Sequence, residues 1–417
     1  MNVTGWRCAA CSAELPVSTP LPFRCPKASP DDPRHVLQIV HDVEPVKLGD
    51  SDSIFVAADL HLAWAAYANA HGMSADDRAA LIGELNAAIE AVDGATFVVT
   101  PFERSAVLSD DLGMAAQGGV WVKDETGGVG GSQKARFLFS ILLHLRAAER
   151  LGHLTERPPL AIASCGNAAL AAATLAKAAD WPIDVYVPTW MSNGFGDRLD
   201  ALGARVHRSE RRDDDPPGDP AMLRFRDAVA AGAVPFTVQG PENALCLDGG
   251  RTLGWEIGTQ FPGERIDRLF VQVGGGAFAS AASQGLDSIH GVVPLFAVQA
   301  AGCAPLERAW NKSAGVDHVA KVWAEAMTVW DDPASLADGI LDDETYDWVG
   351  VVEAMRRNGG VPVVVSEAKI EEAHRLGRQA GYNVSPTGSA GLAGLLAMRD
   401  DIAANENVVV VLSGVSR

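Results

Sequence analysis

Cysteine is scarce in this chain. Six among 417 residues (Cys8, Cys11, Cys25, Cys165, Cys246 and Cys303) are too sparse for a disulfide framework, which fits a reducing compartment. Basic side chains are in the minority too: 34 Lys and Arg against 53 Asp and Glu give a formal net charge of −19. Phosphate backbones and anionic lipid surfaces are bound through clustered cations, so neither nucleic acid nor a membrane surface is an expected partner. A small anion is still allowed, because a few backbone N–H groups can bind it locally whatever the total charge. Long apolar runs are also missing. The start, MNVTGWRCAACSAELPV, lacks the continuous apolar stretch of a signal peptide, and no run reaches the length of a membrane span. The expectation is a soluble, cytoplasmic protein.

What the chain has in quantity is material for cores. Hydrophobic residues make up 47% of it, and a single core stops growing at about 250–300 residues, so two packed domains are expected. Residues 1–35 stand apart, with Cys8-x-x-Cys11, Cys25-Pro26 and a Pro-rich stretch to Pro33. Cys8, Cys11 and Cys25 are zinc candidates and His35 could complete a set. The second pair of a zinc ribbon is broken, however, because Lys27 and Ala28 follow Cys25-Pro26. Structural zinc takes four ligands, so the expectation is an eroded knuckle packed as a loop without a metal.

From residue 36 onward, short β-branched runs alternate with longer Ala- and Leu-rich stretches, the pattern of an α/β protein. Strands are predicted at Thr96–Val99, Val120–Lys123, Leu160–Ala163, Asp184–Val187, Arg205–His207, Phe236–Val238, Leu269–Val273, Leu295–Val298 and Val408–Leu412. Helices are predicted at Lys134–Arg150, Ala168–Ala179 and Lys369–Ala380. The segment RRDDDPPGDP, residues 211–220, reads as a surface loop.

Three loops can carry chemistry. The first, GGVGGSQKAR (127–136), follows the strand VWVKDE and opens a helix. Its Lys134 is one of only eight lysines, and the positive end of a helix disfavours its ammonium form, as a nucleophilic amine requires. A P-loop would need Gly-Lys-Ser/Thr where Gln133-Lys134-Ala135 stands. The second, ASCGNA (163–168), again joins a strand end to an Ala-rich helix. It could hold a carboxylate on backbone N–H groups and the Ser164 hydroxyl, or be a tight turn with Asn167 as a cap. The third, VGGGAFAS (273–280), has three consecutive glycines that let backbone approach an anion at a helix start. Gly274-x-Gly276-x-x-Ala279 also satisfies the dinucleotide fingerprint, which requires an acidic residue about 20 positions on. Gln299 stands where that residue is expected, which favours phosphate binding without a nucleotide.

Together and in this order, these loops resemble those of the tryptophan synthase β-like family, the fold type II pyridoxal phosphate enzymes, with threonine synthases and serine or threonine dehydratases the nearest in pattern. Thr100-Pro101-Phe102 resembles the family's early Thr-Pro-Leu, Gly131-Ser132-Gln133-Lys134 its lysine motif, Ser164-Cys165-Gly166-Asn167 its asparagine loop and Gly274-Gly275-Gly276 its phosphate loop. Ser385-Pro386-Thr387-Gly388-Ser389-Ala390 resembles the Glu-Pro-x-x-Ala stretch that opens a late helix, and Leu412-Ser413-Gly414 the closing Ser/Thr-Gly. Ala135, Gln133 and Ser385 depart from the threonine synthase pattern, which bears on the substrate rather than the cofactor.

The resemblance implies an α/β architecture of two αβα domains, a smaller one (133–240) inserted into a larger one (36–132 with 241–417), with pyridoxal 5'-phosphate in the cleft between them. It implies that Lys134 carries the cofactor in a Schiff base and later acts as the base. Asn167 would hydrogen-bond the cofactor's phenolic oxygen. Ser164, Cys165, Gly166 and Asn167 would receive the substrate carboxylate, the backbone of Gly274, Gly275, Gly276, Ala277 and Phe278 the phosphate, and Ser413 the pyridine nitrogen. The implied activity is β- or β,γ-elimination or replacement on a small amino acid, as in threonine synthase, with a serine or threonine ammonia-lyase as the alternative and a non-catalytic binding protein of the same fold as a distant one. Members of the family are often homodimers.

Overall fold

Three sheets carry the chain in the computed structural model, which describes residues 2–29, 31–43, 45–114 and 118–416. The first is small and antiparallel: β1 (Val3–Cys8) lies between β2 (Glu14–Pro16) and β3 (Leu37–His41). The segment expected as an eroded knuckle packed as a loop is therefore a three-stranded unit. The boundary drawn at residue 35 falls inside it, because β3 completes the sheet.

The second sheet uses β4 (Phe102–Ser105), β5 (Gly119–Asp124), β10 (Arg268–Gln272), β11 (Leu295–Ala300), β12 (Pro362–Val365) and β13 (Asn407–Leu412) in the order β12-β11-β10-β13-β5-β4. All neighbours are parallel except the edge strand β4. The inner strands LFAVQA and NVVVVL are buried almost throughout, as strands covered by helices on both faces must be. The third sheet is parallel, in the order β8-β7-β6-β9, from β6 (Leu160–Ala163), β7 (Ile183–Pro188), β8 (Arg205–Ser209) and β9 (Val234–Pro235).

Two predicted strands differ. Thr96–Val99 is an irregular segment in which Phe97 turns inward, stacked on Phe139 at 4.1 Å, while Val98 and Val99 face solvent. The strand expected at Phe236–Val238 is instead the two-residue β9 just before it. Helices at Lys134–Arg150, Asn167–Ala178 and Glu367–Gln379 stand within two residues of expectation.

The helices Cys246–Gln260 and Ala277–His290 pack unusually close, and glycine is the reason. A Cβ on Gly254 would collide with the Ala282 carbonyl, and one on Gly285 with that of Arg251. This brings the helix that follows the glycine loop against the one that packs on the lysine helix, where Gly249 meets the Arg136 carbonyl in the same way. No helix among the described residues is long and apolar enough to cross a membrane.

Candidate active site

The strand order assembles the site. β10, β13 and β5 are neighbours, and in a parallel sheet their carboxyl ends open on one side. β10 runs into Gly274–Gly276, β13 into Ser413, and β5 into the turn that ends at Lys134. Segments far apart in sequence thus meet in one cleft of about 550 Å3 counted to its open mouth, lined by Gln133, Lys134, Phe137, Val238, Gln239, Gln272, Gly274 to Phe278, Gly339, Ile340, Asp342, Thr387 and Ser413.

Each predicted loop has a local cause. Gly276 has φ of +92° and precedes the Ala277–His290 helix directly, so only glycine turns the backbone there without strain, and the helix N-terminus opens at the cleft that Ala277 and Phe278 line. Ser413 is fixed by Gln272, whose Nε2 donates to the Ser413 hydroxyl oxygen (2.5 Å) and to the carbonyls of Gly388 (2.9 Å) and Val411 (3.4 Å). Two carbonyl partners pin the amide orientation. Because Ser413 Oγ already accepts, its own proton is available to the cleft. Ser385 steadies the same region, accepting from Gly388 N–H (2.9 Å) and donating to the Gly414 carbonyl (3.1 Å).

The structure brings Lys134, the glycine loop through Phe278, and Ser413 into one cavity. It does not place Ser164, Cys165, Gly166 and Asn167 in that lining. They form a half-buried turn beside it, with Ser164 Oγ accepting from Gly166 N–H (3.2 Å). The link is the Ser413–Val415 segment, since Asn167 Nδ2 donates to the Val415 carbonyl (3.4 Å) and Val415 N–H to the Gly131 carbonyl (3.0 Å).

Two features were missed in the sequence. The first is a buried charge network beneath the lysine. Arg136 donates to Glu125 Oε2 (2.7 Å) and Glu256 Oε1 (2.7 Å), and Lys123 Nζ to Glu256 Oε2 (2.5 Å), Gln260 Oε1 and the Thr100 carbonyl. Thr100 Oγ1 donates to Glu125 (2.5 Å), which gives the Thr-Pro-Phe motif its task. Burial would push the Glu256 carboxyl up, but Arg136 and Lys123 outweigh it and hold it below the ordinary range. Burial moves Lys123 the other way, lowering its ammonium.

The second is an acidic crossing over the glycine loop. Residues 340–347 lie against it: a Cβ on Gly274 would collide with the Asp342 carboxylate, and one on Gly276 would sit 2.8 Å from Thr345 Cγ2. Asp342 accepts from the Gly275 N–H; burial pushes its carboxyl up to about 6, although the Lys134 charge and that N–H pull the other way. Asp347 accepts from Gly240 N–H (2.9 Å) and donates its own backbone N–H to the Gly275 carbonyl (2.7 Å). Burial raises it to about 7, against Gly240 N–H and Lys134. In the sequence LDDETYD is a short acidic run with no motif to mark it.

A phosphate-bearing aldehyde cofactor fits these residues. The glycine loop has no room for side chains and opens a helix N-terminus at the cleft, Lys134 supplies the amine, and Gln133 Oε1 and Gln239 Oε1 are buried at the cleft without a hydrogen-bond partner. A mostly parallel sheet covered by helices on both faces, with this cleft at the ends of its central strands, defines the class, and the comparisons agree. Residues 96–414 match the family described as pyridoxal-phosphate dependent enzyme, and the chain belongs to it.

Two threonine synthases are similar in sequence. That of Methanosarcina acetivorans is 26% identical over 326 residues, 76% of this chain and 74% of that one. That of Synechocystis sp. is 28% identical over 260 residues, 60% of this chain and 61% of that one. Among solved structures, maize serine racemase superposes with a TM-score of 0.62 at 19% identity, covering 80% of this chain and 92% of that one. Threonine deaminase isoform 2 of Solanum lycopersicum gives 0.62 at 19%, covering 91% and 96%. At those identities the structural likeness is one of fold, fold type II. The chain is thus a pyridoxal phosphate-dependent enzyme.

Proposed function

We infer that the chain catalyses β- or β,γ-elimination or replacement on a small amino acid, with Lys134 as the cofactor-bearing lysine and base. The observation that carries this reading is the single cleft joining Lys134, the glycine cradle and Ser413. Lys134 Nζ would hold the cofactor and then take the proton from the substrate α-carbon. Backbone N–H groups of Gly274 to Phe278 would hold the phosphate. Asn167 and the Ser164–Gly166 turn, beside the cleft, would receive the phenolic oxygen and the substrate carboxylate. The bound cofactor supplies an electron sink for the negative charge left at the α-carbon.

Ser413 would meet the ring nitrogen. Held by Gln272, its hydroxyl donates a hydrogen bond without delivering a full proton as a carboxylic acid would. A shallower sink favours expelling a β-substituent over transamination.

The charges of the lining bear on the substrate. Among the described residues Lys134 is its only basic side chain, and Asp342 stands opposite. A substrate with its own phosphate, such as phosphohomoserine, would enter with no arginine to receive it, whereas the hydroxyl of serine or threonine needs none. This supports the ammonia-lyase type of elimination. The threonine synthases among the sequence relatives support the other reading. Keto-acid formation from serine and threonine, measured beside phosphate release from phosphohomoserine, separates the two. The class itself rests on Lys134: the purified protein should carry a visible absorbance band that Lys134→Ala abolishes, and a wild type that binds no pyridoxal phosphate would end this reading.

A further inference from the structure

The small N-terminal sheet brings together a second cluster of reactive side chains, remote in sequence from the cleft. Cys8 ends β1, Cys11 follows in the turn to β2, and Cys25 and His35 lie on the connection to β3. One donor atom from each of the four lies within 4.8 Å of the others. Cys8 Sγ is 3.3 Å from His35 Nδ1, and Cys11 Sγ is 3.6 Å from Cys25 Sγ. A tetrahedral zinc with Zn–S of about 2.3 Å and Zn–N of about 2.0–2.1 Å has edges of about 3.8 and 3.6 Å. The observed separations lie close to those edges, and the sulfur pair is well beyond a disulfide bond length.

Three further observations point the same way. Backbone N–H groups two residues on are aimed at two of the sulfurs, Ala13 at Cys11 and Lys27 at Cys25. Ser12, with φ of +59°, makes the turn that directs the first of them. Finally, His35 is buried, and its Nε2 lies 3.2 Å from Asp32 Oδ2. That contact places the ring proton on Nε2 and leaves the Nδ1 lone pair facing the sulfurs, the carboxylate–histidine arrangement by which proteins orient a metal-bound imidazole.

The geometry points to a structural Zn2+ site of three thiolates and one imidazole, Cys8, Cys11, Cys25 and His35, with Asp32 orienting the histidine. The broken second Cys pair is made good by His35, ten residues past Cys25. The loop that such a metal closes is braced on the enzyme body. Ser18 and Pro20 carbonyls accept from His71 (2.9 Å) and His144 (2.6 Å), and the Phe23 carbonyl accepts from Ala244 N–H (2.8 Å). His144 belongs to the helix that Lys134 opens, and Ala244 lies four residues past Gly240, the partner of Asp347. The metal would therefore tie the N-terminal unit to the back of the lysine helix.

The test uses the full-length holoenzyme purified without chelator. Elemental analysis should find about one zinc per chain. Replacement by Co2+ should give the intense visible bands of a tetrahedral site and thiolate charge-transfer bands in the near ultraviolet. Cys25→Ala and His35→Ala should each lose the metal while keeping the lysine-dependent visible band, which separates this site from the cofactor site. The metal and Co2+ measurements on wild-type protein stand even if a variant fails to fold. Metal-free protein whose N-terminal thiols all titrate without denaturant and give no Co2+ spectrum would overturn the proposal. So would a Cys11–Cys25 disulfide found by mass.

Discussion

Replacing Asp342 by asparagine should tighten pyridoxal phosphate binding, and increasingly so as the pH rises. Asp342 occupies part of the cup into which the phosphate must go, and accepts from the Gly275 N–H. Burial, with Asp343 and Asp219 nearby, lifts its carboxyl from 3.8 to about 6 despite Lys134. Because the folded value is raised, the folded chain holds this proton more tightly than the unfolded chain. Stability from this group is full below about 4, falls as the pH rises toward about 6, and is level beyond, a loss of about 3 kcal/mol. A phosphate dianion arriving above pH 6 meets a second anion. Protonating a group two pH units above its pKa costs about 2.7 kcal/mol. The ratio of wild-type to Asp342→Asn dissociation constants should thus stand near one at about pH 5 and reach about a hundredfold by about pH 8. Taking the ratio cancels the cofactor's own ionisations and those of Asp343, Asp219, Asp347 and Tyr346, which both proteins share. Equilibrium dialysis of the apo protein measures it without any turnover. A ratio that does not change with pH refutes the competition, and weaker binding by Asp342→Asn throughout would make the carboxylate a cofactor ligand instead.

Glu256→Gln should lower stability by about 3–5 kcal/mol, because it leaves Lys123 and Arg136 buried with too little negative charge; a lower urea midpoint at unchanged slope is the readout. Gly276→Ala forces a side chain into φ of +92° and to 2.8 Å from Thr345 Cγ2; cofactor affinity should fall at least about tenfold, with about 1–3 kcal/mol lost from the fold. Gln272→Leu strips the donor from the Gly388 and Val411 carbonyls, at about 1–3 kcal/mol. It also frees the Ser413 hydroxyl to rotate, so the pH dependence of the loaded enzyme's visible band should change while Ser413→Ala in the same background adds little.

The candidate loops stood out in the sequence because each has an uncommon residue at a strand end: a lysine in a lysine-poor chain, an asparagine at a helix start, glycines where only a positive φ serves. The inner strands were legible from unbroken apolar runs. What escaped depends on partners remote in sequence. Thr96–Val99 has strand composition, but Phe97 finds its place on Phe139 and the valines find no neighbouring strand. β4 and β12 are short edge strands, and β12 opens on a proline, so their composition says little. Asp342 reads as one more surface acid until the fold carries it across the glycine loop. His35 was legible as a candidate fourth ligand, but the sequence could not show that β3, closing beside β1, carries it to within 3.3 Å of Cys8 Sγ.

The position of β13 has a consequence for how the enzyme comes to exist. This strand, the last in chain order, fills the space between β5 and β10, pairing Asn407–Leu412 with Gly119–Asp124 on one side and Arg268–Phe270 with Val408–Val410 on the other. Before it enters, β5 and β10 are open edges of two half-sheets, each a template for pairing with the wrong chain. The lysine then follows one half and the glycine loop the other, and the Cys246–Gln260 helix, packed on the lysine helix and on Ala277–His290, is what relates them. The same strand delivers Ser413 to the cleft, so the lining is complete once the last strand of the chain is in place.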